Sequence, residues 1–451
     1  MEQTSTENKH ILGELIRLAA PAAMERLLLL FGGLISMMIA GKIGGQTLVA
    51  VSMCNTLFDI IQAVFIGLSV GSTILITRNV GCGHMELPRR ITAHSIGLNL
   101  FLGIGIMLTL VLLGKNIITV LFRNLTDAVI EQSVQYLRIT VWCIPFIGID
   151  VALSAAMRGI GDMKTPFYMT LIANAVQVMI GVLTVFVFQL GLTGTALAFM
   201  ISRICGALLR VWAVFFTEKY PLLRIKQDVK PSMALLRQIM HYGTLTMAEQ
   251  LMLQLGFLGM QLITSHIDTE TVGAYQIANS AINLIFAVTF GFESAQITMI
   301  GRQIGANDRE LAWKTAKLSF AAVEGLSALM AAAMILFSNA FLSLFSQDPL
   351  VLQNARMILR ILALFIPITS VFQGTSGILK TGGKASTVLL LNLIGPWCIR
   401  IPLAYLLCVS LHMGITGLMI GLFADYFIRA VFYFLSFRSR KWLDFGTKAN
   451  T

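Results

Sequence analysis

Many residues of the first half of this chain recur in its second half, 224 positions further along. Glu25 recurs as Glu249, and the same register holds without a gap for roughly sixty residues. Polar residues and glycines match as well as apolar ones, so apolar composition alone does not explain the alignment. Further matched pairs are Leu27/Leu251, Ile43/Ile267, Thr47/Thr271, Ala50/Ala274, Asn55/Asn279, Gly67/Gly291, Arg78/Arg302 and Gly81/Gly305. The chain therefore has two related halves, and its fold is built twice from one plan.

These halves are too apolar for a water-soluble protein. Of the 451 residues, 56% are hydrophobic and 12% are charged, whereas soluble domains average about 25% charged residues. Lipid rather than water therefore covers most of the surface. Apolar stretches long enough to cross a bilayer recur twelve times, at approximately 14–40, 47–76, 91–113, 133–156, 166–188, 192–216, 240–264, 272–299, 315–337, 358–378, 387–410 and 414–436. These features predict an all-α integral membrane protein with twelve transmembrane helices in two six-helix lobes.

Polar segments between the spans give the predicted domains and topology. An N-terminal lobe covers 1–216, a cytoplasmic linker covers 217–238, and a C-terminal lobe covers 239–451. Most basic residues fall in the even-numbered connectors, which predicts a multi-pass plasma membrane protein (the inner membrane in a bacterium) with both termini in the cytoplasm. The net charge of +11 arises largely from these connectors and does not indicate nucleic-acid binding.

The repeat also indicates a function. Further along the halves the offset changes to 222, which pairs Ser154 with Ser376 near the ends of two spans, and Arg158 with Lys380 in connectors predicted to be cytoplasmic. Six spans in each half mean that both halves start on the same side of the membrane and are parallel repeats. A site between two such lobes can be exposed to either side in turn, so transport of a small molecule is the leading hypothesis.

Two motifs resemble those of the multidrug and toxic compound extrusion (MATE) family. The fourth connector, 157–166, reads MRGIGDMKTP, which is similar to the RGxGDxKTP turn of that family. The eleventh span contains WCIRIPLAY at 397–405, which is similar to its WxxRIPLAY stretch. The likeness extends over residues 10–440. It implies a twelve-helix, two-lobed antiporter that exports organic, often cationic, compounds in exchange for Na⁺ or H⁺.

Five acidic residues stand out among those in the predicted spans, where charges are costly and mark functional positions. They are Glu25, Asp59, Asp150, Glu249 and Glu293. We expect them to bind substrate or coupling ion, with Glu249 the first candidate, since the family often has a glutamate at this place in helix seven. A structural ion pair or hydrogen bond is the alternative for each.

Several uncharged or basic side chains are predicted to support these acids. Gln250 and Gln254 fall on one helical face beside Glu249, and we expect this face to line a cavity between the lobes. Asn279 and Asn283 share a face with Glu293 in the eighth span. Asn174 and Arg400 are further candidate partners of the acids.

Two departures from the family pattern leave the coupling ion open. Ser36 occupies the position in the first span where many members have an aspartate, and the tenth span has no acid. The best replacements are Glu249, Glu293 and Asp59. Carboxylate and amide oxygens near Glu249 suit Na⁺, and a desolvated glutamate suits proton exchange equally well.

Two other functions fit the sequence less well than antiport. A flippase for a lipid-linked or polysaccharide precursor would line its cavity with Arg and Lys, whereas the ionisable residues singled out in the middle of the predicted spans are mostly acids, which favours cationic cargo. An enzyme is disfavoured because the chain has no HExxH and no His/Cys cluster, and its GxSxG match at 67–71 lies inside a predicted span rather than at a strand-to-helix turn. We expect no cofactor, no metal site beyond a Na⁺ near Glu249, and a monomer that contacts the lipid bilayer and its small-molecule substrate.

Overall fold

The computed structural model describes residues 2–84, 86–121, 126–217, 219–220, 232–264, 269–342 and 349–443, and within these ranges it contains helices and no strand. The α-helices are α1 (Glu2–Ile43), α2 (Gly45–Gly81), α3 (Leu87–Leu121), α4 (Asp127–Thr140), α5 (Ile144–Gly159), α6 (Lys164–Val182), α7 (Gly191–Phe216), α8 (Met233–Thr264), α9 (Thr269–Gly305), α10 (Arg309–Leu336), α11 (Ser338–Leu342), α12 (Pro349–Thr381), α13 (Ala385–Ile394), α14 (Ile401–Tyr405) and α15 (Gly414–Arg438). The predicted all-α class is confirmed.

Short irregular helical turns join some of these helices into longer membrane-crossing segments. A 3₁₀ turn at Val141–Cys143 connects α4 to α5, and a π-helical turn at Leu183–Val187 extends α6. Two further π turns, Gly395–Arg400 and Leu406–Ser410, flank α14. Eleven helical segments within the described ranges are long and apolar enough to cross a membrane. The predicted seventh span coincides with α8, which lies outside those eleven and is 32 residues long.

The chain forms two compact units, which we call the N-unit and the C-unit. The N-unit is Glu25–Met247, and the C-unit is Met1–Met24 together with Ala248–Thr451. These boundaries differ from the predicted ones at 216 and 239. The start of α1 belongs with the second half of the chain, and the start of α8 belongs with the first half.

Close glycine contacts explain these boundaries. In the N-unit a methyl group added to Gly67 would collide with the backbone of α8 at Met247, and one added to Gly71 would collide with Gly243. The hydroxyl of Thr246 donates a hydrogen bond to the carbonyl of Gly67. Small residues let helix backbones approach this closely in a membrane.

The C-unit repeats this contact. Gly291, the repeat partner of Gly67, lies against the backbone of α1, where an added methyl group would collide with Ala19 and Ala23. In each unit the second helix of one half therefore packs on the beginning of the first helix of the other half.

Candidate functional site

Glu249 and Glu293 both pair with Lys380 in the C-unit. Nζ of Lys380 lies 3.0 Å from Oε2 of Glu249 and 2.8 Å from Oε1 of Glu293. Ser376, one turn before Lys380 on α12, donates to Glu293 over 3.4 Å. Glu249 and Lys380 are buried, with 3% and 2% of their surface exposed. We call Glu249, Glu293 and Lys380 the lysine group.

A second group of charges lies beside the first. Asp425 accepts hydrogen bonds from Nε of Arg400 at 2.7 Å and from Nε and Nη2 of Arg429 at 2.6 and 2.8 Å. Asp425 is fully buried, and both arginines are 2% exposed. Arg429 stacks on Phe372 at 4.3 Å, and Arg400 stacks on Tyr426 at 4.8 Å. We call Asp425, Arg400 and Arg429 the arginine group.

Asn392 connects the two groups. Its Nδ2 donates to Oε1 of Glu249 over 3.0 Å, and its Oδ1 accepts from Nη1 of Arg429 over 3.1 Å. Asn392 lies on α13 and is itself buried. Its amide can both donate and accept, so it separates a carboxylate from a guanidinium and satisfies both.

The local backbone makes room for the arginine group. Pro396 has no N–H and cannot continue the regular helical bonding, and the chain forms a π turn over Gly395–Arg400. A side chain at Gly395 would collide with Asp425 and Arg429. π turns often occur at functional sites, and here the turn ends at Arg400.

The lysine and arginine groups line one cavity within the C-unit. Its volume is about 190 Å³. Its charged lining residues are Glu249, Glu293, Lys380, Arg400 and Arg429, and its rings include those of Phe257, Phe286, Phe290, Phe372, Tyr426 and Tyr433. Gln250 also lines it, whereas Gln254 is not among the lining residues. The cavity thus combines charges of both signs with a mostly aromatic wall.

The N-unit holds Glu25 and Asp150 in a different charge cluster. Glu25 lies 3.1 Å from Arg158 and 3.2 Å from Arg210, and Ser154 donates to it over 3.0 Å. Asp150 pairs with Nη1 of Arg210. Nη2 of Arg210 also donates to Thr170 over 2.7 Å. Two arginines thus pair with two carboxylates, and we call Glu25, Asp150, Arg158 and Arg210 the paired-arginine cluster.

The repeat explains how the two sites differ. Glu25, Ser154 and Arg158 correspond to Glu249, Ser376 and Lys380, and in both sets the basic residue pairs with the glutamate. The serines differ, because Ser154 donates to Glu25 whereas Ser376 donates to Glu293.

At two other positions the halves diverge. In the repeat alignment at offset 222, Phe372 is the residue matched to Asp150. Arg210 donates a hydrogen bond to the carbonyl of Pro166. Tyr433 donates one to the carbonyl of Val388, the residue matched to Pro166, and so takes the place of Arg210 in the second half. Compared with the first half, the second half therefore lacks the acid of Asp150 and the guanidinium of Arg210. It also has a lysine in place of Arg158.

The remaining predicted residues lie elsewhere. Asp59 is exposed on α2, and it interacts electrostatically with the positive charges of Arg26 and Arg203. Asn174 is buried in the N-unit and donates to the carbonyl of Leu28 over 2.6 Å. Asn283 is exposed on α9, and the side chain of Asn279 lies outside the described residues.

Ser36, at the position of the family's first-span acid, accepts a hydrogen bond from Gln177 over 2.8 Å. Ser36 is 1% exposed and Gln177 also donates to the carbonyl of Gly32 over 2.8 Å. A neutral hydrogen-bonded pair, Ser36 and Gln177, therefore occupies this point of α1.

Sequence reasoning missed most of the basic partners. Arg158 and Lys380 were predicted to lie in connectors, but they belong to α5 and α12 and point at buried glutamates. Arg210, Asp425 and Arg429 were not singled out. The opposite charges of Asp425 and Arg429, four residues apart within an apolar span, were the available signal.

The fourth connector holds an ionised carboxylate outside the spans. Asp162 accepts hydrogen bonds from the backbone N–H groups of Lys164 and Thr165 at 3.0 Å and from the hydroxyl of Tyr220 at 2.7 Å, and Lys219 lies 2.8 Å away. Burial would raise the pKa of this carboxyl, but the hydrogen bonds and the Lys219 charge outweigh it and lower the pKa to about 2. Asp162 thereby fixes the start of α6 and ties it to the segment that follows α7.

Sequence comparisons find relatives that match nearly the whole chain. The MatE family model matches residues 21–183 and 246–406. The probable multidrug resistance protein NorM of Thermotoga maritima is 25% identical over 433 residues, which cover 95% of this chain and 92% of that protein. The uncharacterized transporter YisQ of Bacillus subtilis is 23% identical over 449 residues, or 96% of this chain and 95% of the relative.

Solved structures share the fold. An outward-facing multidrug resistance MATE family transporter of the MOP superfamily superposes with a TM-score of 0.87 at 21% identity, and the match covers 96% of each chain. A MATE structure in a bent conformation superposes with a TM-score of 0.89 at 20% identity, covering 98% of this chain and 97% of that one.

Proposed function

This chain belongs to the MatE family, a family of membrane transporters rather than enzymes, and from that premise we propose that it is a secondary antiporter exporting organic compounds in exchange for Na⁺ or H⁺. The observation that carries the proposal is the lysine group, in which one ammonium lies between two glutamates at the wall of a cavity. The relatives named for multidrug resistance support drug-like cargo with a cationic nitrogen.

The charge of the lysine group supports exchange of one cation for another. With both glutamates ionised, two negative charges face one ammonium. One negative charge therefore stays available for a monovalent cation, which can be a proton, a sodium ion or the ammonium of a cargo molecule. Charges in a low-dielectric site must be compensated. The carboxylates thus favour one bound cation at a time, and cargo and coupling ion compete for them.

Glu249 is the proposed coupling residue and Glu293 its partner. Glu249 is fixed by Asn392 and Lys380, whereas the side chain of Glu293 is 20% exposed and reaches the cavity more openly. An incoming cation therefore meets Glu293 first and is passed to the buried carboxylate. Of the other predicted acids, all in the N-unit, Asp59 remains a candidate for cation binding, whereas we propose a structural role for Glu25 and Asp150 because Arg158 and Arg210 pair with them.

The flippase alternative is not favoured. The cavity does contain basic residues, but buried carboxylates compensate most of their charge, and a polyanionic headgroup would need uncompensated bases. The relatives named above are described as multidrug resistance proteins and transporters. We place the protein in the plasma membrane, with both termini in the cytoplasm, on the positive-inside pattern of its connectors.

The test is transport in proteoliposomes that contain the full-length protein and a fluorescent organic cation. Sodium and proton gradients are imposed separately, so that the coupling ion is identified directly. The Glu249→Gln variant should insert normally and lose gradient-driven transport, while Glu310→Gln, which alters an exposed carboxylate of the same unit, should keep it. Normal gradient-driven transport by Glu249→Gln would defeat the assignment.

A further inference from the structure

We propose that the C-unit binds an anionic phospholipid, whose phosphate lies between Lys317 of α10 and Arg440, two residues after the end of α15. This binding goes beyond antiport and does not depend on it. Both basic side chains approach the same indole ring. The guanidinium carbon of Arg440 lies 4.3 Å from the ring centroid of Trp313, and Nζ of Lys317 lies 5.6 Å from it. Two positive charges therefore converge on one aromatic ring.

Neither cation has a carboxylate partner in the described part of the chain. Lys314, one turn before Lys317, pairs with Glu7, but Lys317 and Arg440 are exposed and take part in none of the ion pairs there. Glu310 lies on the same face of α10 as Lys317, and it is exposed and pairs with neither cation. Two like charges on one ring repel each other, so an anion between them is stabilising. A phosphate diester is such an anion, and both arginine and lysine bind phosphate.

The backbone holds Arg440 in a conformation that suits glycine better than arginine. Its φ is 54°, in the left-handed region, just after the end of α15 at Arg438. Glycine is the usual residue at such a position because it has no side chain to clash. The N–H of Arg440 donates to the carbonyl of Phe437 over 3.3 Å, which fixes this turn. Strained positions of this kind often occur at ligand sites, so the arginine is explained by its side chain rather than by its backbone.

Two buried residues fix the segment that carries Arg440. The indole N–H of Trp442 donates to the carbonyl of Phe437 over 3.1 Å, and its ring stacks on that of Phe437. Gly382 makes room for this indole, because an added methyl group would collide with Trp442. The buried Leu443 donates its N–H to the carbonyl of Arg440 over 2.9 Å. The backbone at Arg440 is therefore ordered before a ligand arrives, which lowers the cost of binding.

The adjoining surface is apolar, which favours a lipid over a free phosphate ion. Phe427, Val431 and Phe434 share one face of α15 and are 51%, 41% and 41% exposed. The ring of Phe434 packs on that of Phe320, one turn after Lys317 on α10, with the centroids 6.2 Å apart. Acyl chains can therefore follow this face while the phosphate stays at the basic end. In the topology proposed above this end is cytoplasmic, and the cytoplasmic leaflet contains anionic lipids.

The experiment measures lipid binding to the purified full-length protein in detergent by native mass spectrometry. The protein is titrated with dioleoylphosphatidylglycerol, which is anionic, and with dioleoylphosphatidylcholine, which has the same acyl chains and no net charge. The first phosphatidylglycerol should bind at least about tenfold more tightly than the first phosphatidylcholine, because two basic residues attract its headgroup. Inorganic phosphate added as a competitor should not displace it, since phosphate lacks the acyl chains.

Variants locate the site. Lys317→Gln and Arg440→Gln should each lower the preference for phosphatidylglycerol about fivefold, since each removes one charge that faces the headgroup. Lys164→Gln, which alters an exposed base at the start of α6 in the N-unit, is the matched control and should keep the preference of the parent. Arg440→Gly should lose the preference as Arg440→Gln does, but it should not lower the unfolding temperature in detergent, because glycine relieves the left-handed backbone.

Three results would overturn the proposal: equal affinity for the two lipids, an unchanged preference in both Lys317→Gln and Arg440→Gln, or an equal loss of preference in Lys164→Gln. Displacement of the lipid by inorganic phosphate would also overturn it, because the site would then bind a free anion. None of these measurements uses an ion gradient. Failure of antiport would therefore leave lipid binding standing, and failure of lipid binding would leave antiport standing.

Discussion

Lys380 lies with its ammonium 3.0 Å from the carboxylate of Glu249, the residue that repeats Glu25 in the second half of the chain. The first half has Arg158 at the matching position, and a second arginine, Arg210, also reaches Glu25. A lysine ammonium is a compact charge on a flexible stem, whereas an arginine is held in a rigid fork. The C-unit therefore holds its glutamate with a movable cation, and the N-unit holds its glutamate with fixed ones.

Replacing Lys380 by methionine should destabilise the protein and make its stability depend on added cation. Without the ammonium, Glu249 and Glu293 are left without a positive partner, and removing one partner of a buried pair costs about 3–5 kcal/mol. The free energy of unfolding in detergent, measured with and without sodium chloride, reports this effect. The double variant Lys380→Met/Glu293→Gln should recover part of the loss. A single variant as stable as the parent would show that Lys380 does not compensate the glutamates.

Glu25→Gln should lower stability and spare coupling, in contrast to Glu249→Gln. The change leaves Arg158 and Arg210 with Asp150 as their only acid in the paired-arginine cluster, and a buried charge without its partner costs about 3–5 kcal/mol. Thermal unfolding and gradient-driven transport are measured on the same preparation. Glu131→Gln, an exposed change in the same unit, should alter stability by less than about 0.5 kcal/mol. Loss of coupling in stable Glu25→Gln protein would contradict this expectation.

Gly67→Val and Gly291→Val should each lower the unfolding temperature. A side chain at either position meets helix backbone, at Met247 in one unit and at Ala19 in the other, and overpacking of this kind costs about 1–3 kcal/mol or more. Gly97→Val and Gly325→Val are matched controls, because an added methyl group at these helical glycines contacts nothing within 4 Å. Equal shifts for all four variants would mean that helix propensity rather than close packing governs the result.

Asp162→Asn should destabilise the protein near neutral pH but not in acid. The pKa of Asp162 is lowered from 3.8 to about 2 in the folded protein, so its ionised form favours folding. This stabilisation is complete above about pH 4 and disappears as the pH falls through the interval towards 2. The difference in unfolding temperature between parent and variant, followed from neutral to acid pH, should shrink over that interval. A constant difference would show that the carboxylate charge is not responsible.

The sequence predicted the repeat, the helical class and the location of most spans because these depend on local composition and periodicity. It also singled out Glu249 and Glu293, which line one cavity in the structure, since acids in apolar runs are conspicuous. The position of Lys380 was not predictable in this way. It follows the apolar run closely and reads as the start of a connector, but α12 continues to Thr381 and turns the lysine towards Glu249.

The basic part of the cavity lining was not predicted. The mid-span acids favoured cationic cargo, and the structure adds the positive charges of Arg400, Arg429 and Lys380 to the lining of the cavity. The boundaries of the N-unit and the C-unit also could not be predicted from local sequence. Which half receives the beginning of α1 or α8 depends on backbone contacts at Gly67 and Gly291, and these contacts join residues far apart in the chain.

The two halves of the chain depend on each other, because α1 begins in the C-unit and α8 begins in the N-unit. A polypeptide comprising 1–216 alone would lack the α8 segment that packs on Gly67 and Gly71, and one comprising 232–451 alone would lack the α1 segment that packs on Gly291. Each half carries the missing segment of the other. A single-copy ancestor of this repeat would complete its bundle only as a dimer that exchanged first helices, so duplication and fusion would convert an obligate partnership between two molecules into a covalent one.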